Sequence, residues 1–248
     1  MIPTPPRPDI DDRGALAAPH EVPWRWWHAV VLYLAVNLIV GFAVSLSTGG
    51  RASDPVVFLL TLVLDLVLLG AMVWWLRRVS SDPARDVGVP RRGRRWTTFW
   101  VGVPAGVVLY LIAVGIRIGV QALLAASTGR EVVPPTQLPD GLSGAGVVTA
   151  AVLAIAIAPI TEEVFFRGLL FRSLRRHGFV PAALISGLVF GAVHLVGAPA
   201  LDGLLLQLPL AVVGFGLAWV AERWGLVAAI GAHVCFNLIG FVLILSFV

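Results

Sequence analysis

Two adjacent carboxylates, Glu162 and Glu163, stand in the stretch APITEEVFFRGLLFRS over residues 158–173, and Arg167 follows four residues after the second. The stretch closes an apolar run. Ionisable groups are expensive in a bilayer, so they are rare there and usually tied to function. Further along, apolar segments hold His194, His233 and Asn237. A carboxylate, two imidazoles and an amide are the groups that can activate water and hold the charge that forms on a carbonyl oxygen.

Neighbouring helical residues point about 100° apart, so Glu162 and Glu163 do not share a direction. Glu163 and Arg167 are i and i+4, lie on one face and can pair. Glu162 is then free to face a cavity and serve as a general base. The plain alternative is a charge cluster at a helix end. His194 sits on its own span, where a lone histidine can equally be a satisfied core residue. His233 and Asn237 are again i and i+4 on one face, able to donate two hydrogen bonds to one developing oxyanion or to clamp two helices together. Cys235 falls about 200° from His233 and points away from that face.

The elements that must position these groups are membrane helices. Mean hydropathy is +0.90 and 13% of residues are charged, which excludes an ordinary soluble domain. The net charge of +4 does not point to nucleic acid, because the arginines flank apolar segments, where they set topology. One cysteine excludes an internal disulfide. Seven apolar segments can be drawn, over 26–47, 55–76, 98–126, 144–161, 180–196, 203–221 and 225–247. The fold expected is an all-α, polytopic membrane helix bundle of about seven transmembrane helices in a single domain over 24–248. Residues 1–23, polar and rich in Pro and Asp, read as a disordered cytoplasmic tail. Trp24, Trp26 and Trp27 read as an aromatic belt at the first interface.

Arg77, Arg78, Arg85, Arg91, Arg92, Arg94 and Arg95 mark the 77–95 loop as cytoplasmic, as Arg167, Arg172, Arg175 and Arg176 mark the segment after the fourth span. The 127–143 loop carries Arg130 alone and faces out, which puts the N-terminus inside. Residues 162–177 read as an amphipathic helix along the cytoplasmic interface, with Phe165, Phe166, Leu169, Leu170 and Leu174 on its apolar face. His177-Gly178 ends it and Pro181 opens the next span, carrying His194 about 13 residues, roughly 20 Å, inward. Gly102/Gly106, Gly115/Gly119 and Gly187/Gly191 are candidates for close helix approach. Asp65 and Arg117, both inside spans, read as a structural pair or the wall of a hydrated cavity.

The motifs resemble those of the CPBP intramembrane proteases, the Abi or CAAX-protease family, whose eukaryotic relative is the Ras-converting endoprotease. The family pattern EExxxR, FxxxH and HxxxN appears in order as Glu162-Glu163…Arg167, Phe190…His194 and His233…Asn237, and the likeness covers about 146–240. The resemblance implies a glutamate-dependent peptidase with no catalytic metal and no cofactor. In it Glu162 would activate water with help from His194, His233 and Asn237 would form the oxyanion site, and Glu163 and Arg167 would orient the constellation. Its substrate would be a membrane-associated peptide or protein.

Two other readings compete. A zinc peptidase would use His194, His233 and a glutamate, although the chain has no HExxH. A non-catalytic member of the family would act as a bacteriocin immunity factor or a partner scaffold. The short chain suits a bacterial plasma membrane. For topology the expected outcome is concrete: cysteines placed in the 77–95 loop react with impermeant reagents from the cytoplasmic side, and those in the 127–143 loop from the other. Reaction of both from one side would show the span count to be wrong.

Overall fold

The structure, a computed structural model, describes residues 21–48, 54–90, 92–129, 144–194 and 200–246. The expected tail, except its last three residues, and the 130–143 part of the outer loop lie outside the described residues. Among the described residues every regular element is helical: α1 (Trp26–Thr48), α2 (Asp54–Val79), the short α3 (Pro83–Asp86), α4 (Arg95–Thr128), α5 (Gly144–His177), α6 (Phe179–Val193), α7 (Ala200–Trp224) and α8 (Leu226–Ser246). Apolar surroundings leave backbone groups no water to bond, so a helix, which satisfies them internally, is the element these sequences must form. By length and composition four of the helices can cross a bilayer: Val56–Val79, α4, α5 and α8. Trp26–Gly41 and α6 are apolar over shorter lengths. The chain is thus a polytopic helical membrane protein, with four spans by this measure against the seven expected.

One end of the bundle is fixed by direct contacts. Trp24 Nε1 donates to the Leu169 carbonyl at 3.0 Å, and Leu226 N–H donates to the Gly88 carbonyl at 2.9 Å. Arg175 holds Glu222 through its Nε (3.1 Å to each carboxylate oxygen) and its Nη2 (2.6 Å). These bonds gather the start of α1, the loop after α2, the end of α5 and the α7–α8 turn. Gly178 (φ 103°) and Gly225 (φ 91°) make that compact end possible, since each reverses the chain through a conformation L side chains rarely adopt. All nine tryptophans lie within about five residues of this end, joined there by exposed Arg77, Arg78, Arg94, Arg95, Arg176 and Arg223. Trp26 and Trp27 are about half exposed, as an aromatic belt requires, but Trp24 is a buried core residue edge-on to Trp75.

Residues 162–177 do not form a separate interfacial helix. They continue α5, and Phe165, Phe166, Leu169, Leu170 and Phe171 are fully buried. Two residues of their polar face turn into the protein: Arg172 is buried against Gly88, and Arg175 is bonded to Glu222. The alternation of apolar and basic residues read as amphipathic because both partners are remote in sequence. The continuation also reconciles the depths of the motif residues. Glu162 lies fifteen residues before His177, roughly 22 Å, so it is as deep as His194.

The small-residue pairs divide. A Cβ at Gly102 or Gly106 would overlap the Ala228 or Ala232 carbonyl of α8, and at Gly187 or Gly191 it would press on α7. Nothing lies within 4 Å of the Cβ positions of Gly115 and Gly119. Close packing of α4 on α8 and of α6 on α7 thus rests on the first and third pairs. Gly102→Val is expected to lower the unfolding temperature in detergent, by a cost of about 1–3 kcal/mol or more. Gly115→Val should leave it unchanged; equal effects of the two would show that α4 does not rest on α8 at this point.

Candidate active site

A cavity of about 270 Å³ opens between α5, α8, α6, α7 and α2. Four of the six sequence-predicted residues line it: Glu162, His194, His233 and Asn237. The other two, Glu163 and Arg167, are completely buried beneath them. Cys235 packs toward Gly106 of α4 and lines no part of the cavity, as its helical angle predicts.

Glu163 is the node. Its Oε1 accepts from Arg167 Nη1 at 2.6 Å and from His233 Nδ1 at 2.8 Å. Arg167 Nη2 donates to the Gly214 carbonyl at 2.9 Å, and its guanidinium lies 4.7 Å from the Phe190 ring centroid and 5.6 Å from that of Phe166. One charge pair therefore ties α5 to α7 and α8 and is walled by aromatic faces, a setting in which a cation is attracted to the ring quadrupole. The i, i+4 spacing gave the Glu163–Arg167 pair. His233 and Gly214, 70 and 51 residues from Glu163, carry no local signal that they belong to it.

The hydrogen bonds fix which nitrogens face the cavity. His233 donates Nδ1–H to Glu163, which leaves Nε2 as the other ring nitrogen, 3.9 Å from Glu162 Oε2. Glu162 is a quarter exposed, and its Oε2 has no protein hydrogen-bond partner among the described residues. His194, the C-cap of α6, bonds the Phe190 carbonyl through Nδ1 at 2.8 Å. A carbonyl can only accept, so Nδ1 carries hydrogen and Nε2 is the free lone pair of the neutral ring. Gln207 Nε2 donates to the His194 carbonyl at 2.9 Å and anchors the end of α6 to α7. Gln207 was not singled out from the sequence; a polar side chain inside an apolar helix was the signal available.

Asn237 has a partner that the sequence does explain. Residues 152–157 of α5 widen into a π-helical turn in which Ala158 N–H reaches the Leu153 carbonyl, five residues back. The next donor in that register would serve Ala154, but it is Pro159, which has no N–H. The orphaned Ala154 carbonyl is taken by Asn237 Nδ2 at 2.7 Å. The amide has a second N–H, so Asn237 can clamp α5 and still offer a donor elsewhere.

The structural pair expected of Asp65 and Arg117 does not form. Among the described residues they make no ion pair with each other, and neither lines the cavity. The reason is placement: α2 packs on α5, whereas α4 packs on α8 and α7 and leaves Arg117 on its exposed side. Among the described residues no three His, Cys, Asp or Glu side chains are grouped as ligands of a metal ion would be.

A carboxylate with an unengaged oxygen, an imidazole with a free lone pair, a second imidazole held by a buried carboxylate and an amide donor can together handle a water, its proton and an oxyanion. Residues 144–239 match the family model described as Rce1-like, Type II CAAX prenyl endopeptidase Rce1-like. No curated protein and no solved structure matches the chain.

The node makes a stability prediction independent of chemistry. Removing one partner of a buried pair leaves the other charge uncompensated, which costs about 3–5 kcal/mol. Arg167→Ala should therefore lower the detergent unfolding temperature and the membrane yield sharply. An unchanged unfolding temperature would show that the Glu163–Arg167 pair does not hold α5 to α7 and α8.

Proposed function

We propose that this chain, whose residues 144–239 match the Rce1-like family model, is a CPBP-type (CAAX-protease) intramembrane endopeptidase that cuts a membrane-associated peptide or protein with a water activated by Glu162. It would reside in a bacterial plasma membrane with its N-terminus in the cytoplasm. The observation that supports the reading most is the meeting of Glu162, His194, His233 and Asn237, from three helices, on one cavity.

The steps follow from the atoms available. A water bound between the Glu162 carboxylate and the free Nε2 of His194 gives a proton to Glu162. Its oxygen forms a bond to the carbonyl carbon of the scissile amide, and the carbonyl electrons move to oxygen. That oxyanion is met by the second N–H of Asn237 and, in the protonated ring, by Nε2–H of His233. Glu163 lies against the ring where the positive charge resides. When the tetrahedral intermediate collapses, the C–N bond breaks and Glu162 returns its proton to the departing amine. Glu163 and Arg167 are positioning residues in this scheme, since neither reaches the cavity.

A low-dielectric floor suits the proposal. Fixed donors in a site with little water act strongly on charge that exists only in the transition state. Glu162→Gln keeps the shape and removes the base. It should leave the protein folded and lower kcat by roughly 10²–10⁴-fold, while strong chelators leave the wild type active. Loss of proteolysis in chelator, restored by zinc, would replace the glutamate route with a metal one.

A further inference from the structure

Asp65 is the only charged residue between Asp54 and Arg77. It is half-buried in α2 and among the described residues makes no ion pair. A carboxylate in such surroundings costs stability and by default points to function. Its place in the bundle shows what it acts on. The buried face of α2 runs through Leu68, Met72 and Leu76, and Asp65 stands at i−3 and i−7 from the first two. Phe58, seven residues before Asp65 and so on the same face, lines the cavity. Asp65 is fourteen residues before Val79 and Glu162 fifteen before His177, so both lie roughly 21–22 Å from the Arg-rich end. Buried Thr161, the neighbour of Glu162, fixes that level by donating its hydroxyl to the Asp65 carbonyl at 3.5 Å. On α1, fully buried Ala29 sets Tyr33, four residues on, against the core, and the Tyr33 ring stacks on Phe165 at 4.5 Å. The Tyr33 phenol is within electrostatic reach of both Glu162 and Asp65, as Asp65 is of Glu162. The three groups therefore converge between α1, α2 and α5, and neither Tyr33 nor Asp65 lines the cavity.

We infer that Asp65 is a positioning residue for the proposed general base: its charge, set behind Glu162, makes that carboxylate a better acceptor for the proton of the attacking water. The role rests on the peptidase reading; the contact between the two charges does not. Two carboxylates close together in a medium of low dielectric repel, and protonating one of them removes the repulsion. As water attacks, its proton passes to Glu162, so the repulsion is relieved while the new C–O bond forms. The proton then goes to the departing amine, and Asp65 exchanges none. The cations that act on Glu162 come from other helices and turns: His233 on α8, with Nε2 3.9 Å from Glu162 Oε2, and Arg167 one turn on in α5. They balance the second negative charge without neutralising it directly. Tyr33 adds a neutral O–H beside both carboxylates.

The test is a double-mutant cycle on the full-length protein in detergent, in mildly alkaline buffer. Asp65→Asn keeps the shape of the side chain and removes its charge. The unfolding temperature should rise on Asp65→Asn, and should rise by less when Glu162→Gln is already present, because the repulsion is then gone. A fall in unfolding temperature, or an equal rise in both backgrounds, overturns the inference. In turnover, Asp65→Asn should lower kcat about tenfold with KM unchanged, and Asp65→Glu should recover most of the loss. An unchanged kcat, or a loss carried by KM alone, overturns the inference as well. The stability arm needs no turnover. A coupled pair in a protein that cuts nothing would sink the peptidase reading, and the catalytic role with it, while the contact between the two carboxylates stands.

Discussion

Glu163 has no exposed surface and one oxygen that accepts from both Arg167 and His233. A carboxylate in this position is tolerable only because a cation reaches it within hydrogen-bond distance, and that cation is itself held by a carbonyl and two aromatic faces. The consequence is geometric. With its Nδ1 engaged below, the His233 ring can only turn Nε2 toward Glu162 and the cavity. Close contact of α6 with α7 at Gly187 and Gly214 supports the same arrangement, because the Gly214 carbonyl that receives Arg167 sits at the tightest point of that interface. The chemistry proposed for the cavity depends on a charge pair that never touches it.

A second constraint starts from one residue. Pro159 cannot donate, so the turn before it widens and leaves the Ala154 carbonyl open, and Asn237 closes it. Widened turns of this kind often mark functional positions in helices. Here the same turn sets Glu162 three residues beyond Pro159 on the cavity wall, while Asn237 is fixed across from it. The clamp and the oxyanion donor, which stand as alternatives in the sequence, are compatible in the structure because an amide has two N–H groups.

Local spacing made much of this legible. The i, i+4 relations of Glu163 to Arg167 and of His233 to Asn237 follow from helical periodicity, and six of the seven apolar segments coincide with a helix to within a few residues, while the fourth, 144–161, runs on to His177. Remote partners were not legible. Nothing near Glu163 names His233, and nothing near Arg172 and Arg175 names Gly88 and Glu222. That second omission turned a buried helix end into an expected interfacial one. Glycine spacing was informative at Gly102 and Gly187 and empty at Gly115, since a small residue permits close approach but cannot say whether a neighbour uses it. Asp65 and Arg117 show the same limit: two opposite charges inside spans need not lie on helices that meet.

Charge and aromatic content are distributed with one polarity along the bundle axis, and so is the cavity. At the end with the tryptophans and exposed arginines the described loops cross-link the helices over an aromatic core. The exposed apolar residues Val56, Leu123, Val148 and Leu243 belong to the opposite end. The candidate site sets its polar groups against that aromatic core and its apolar walls beyond them, and the buried Glu163 node, which holds α5 to α7 and α8, lies where the two meet.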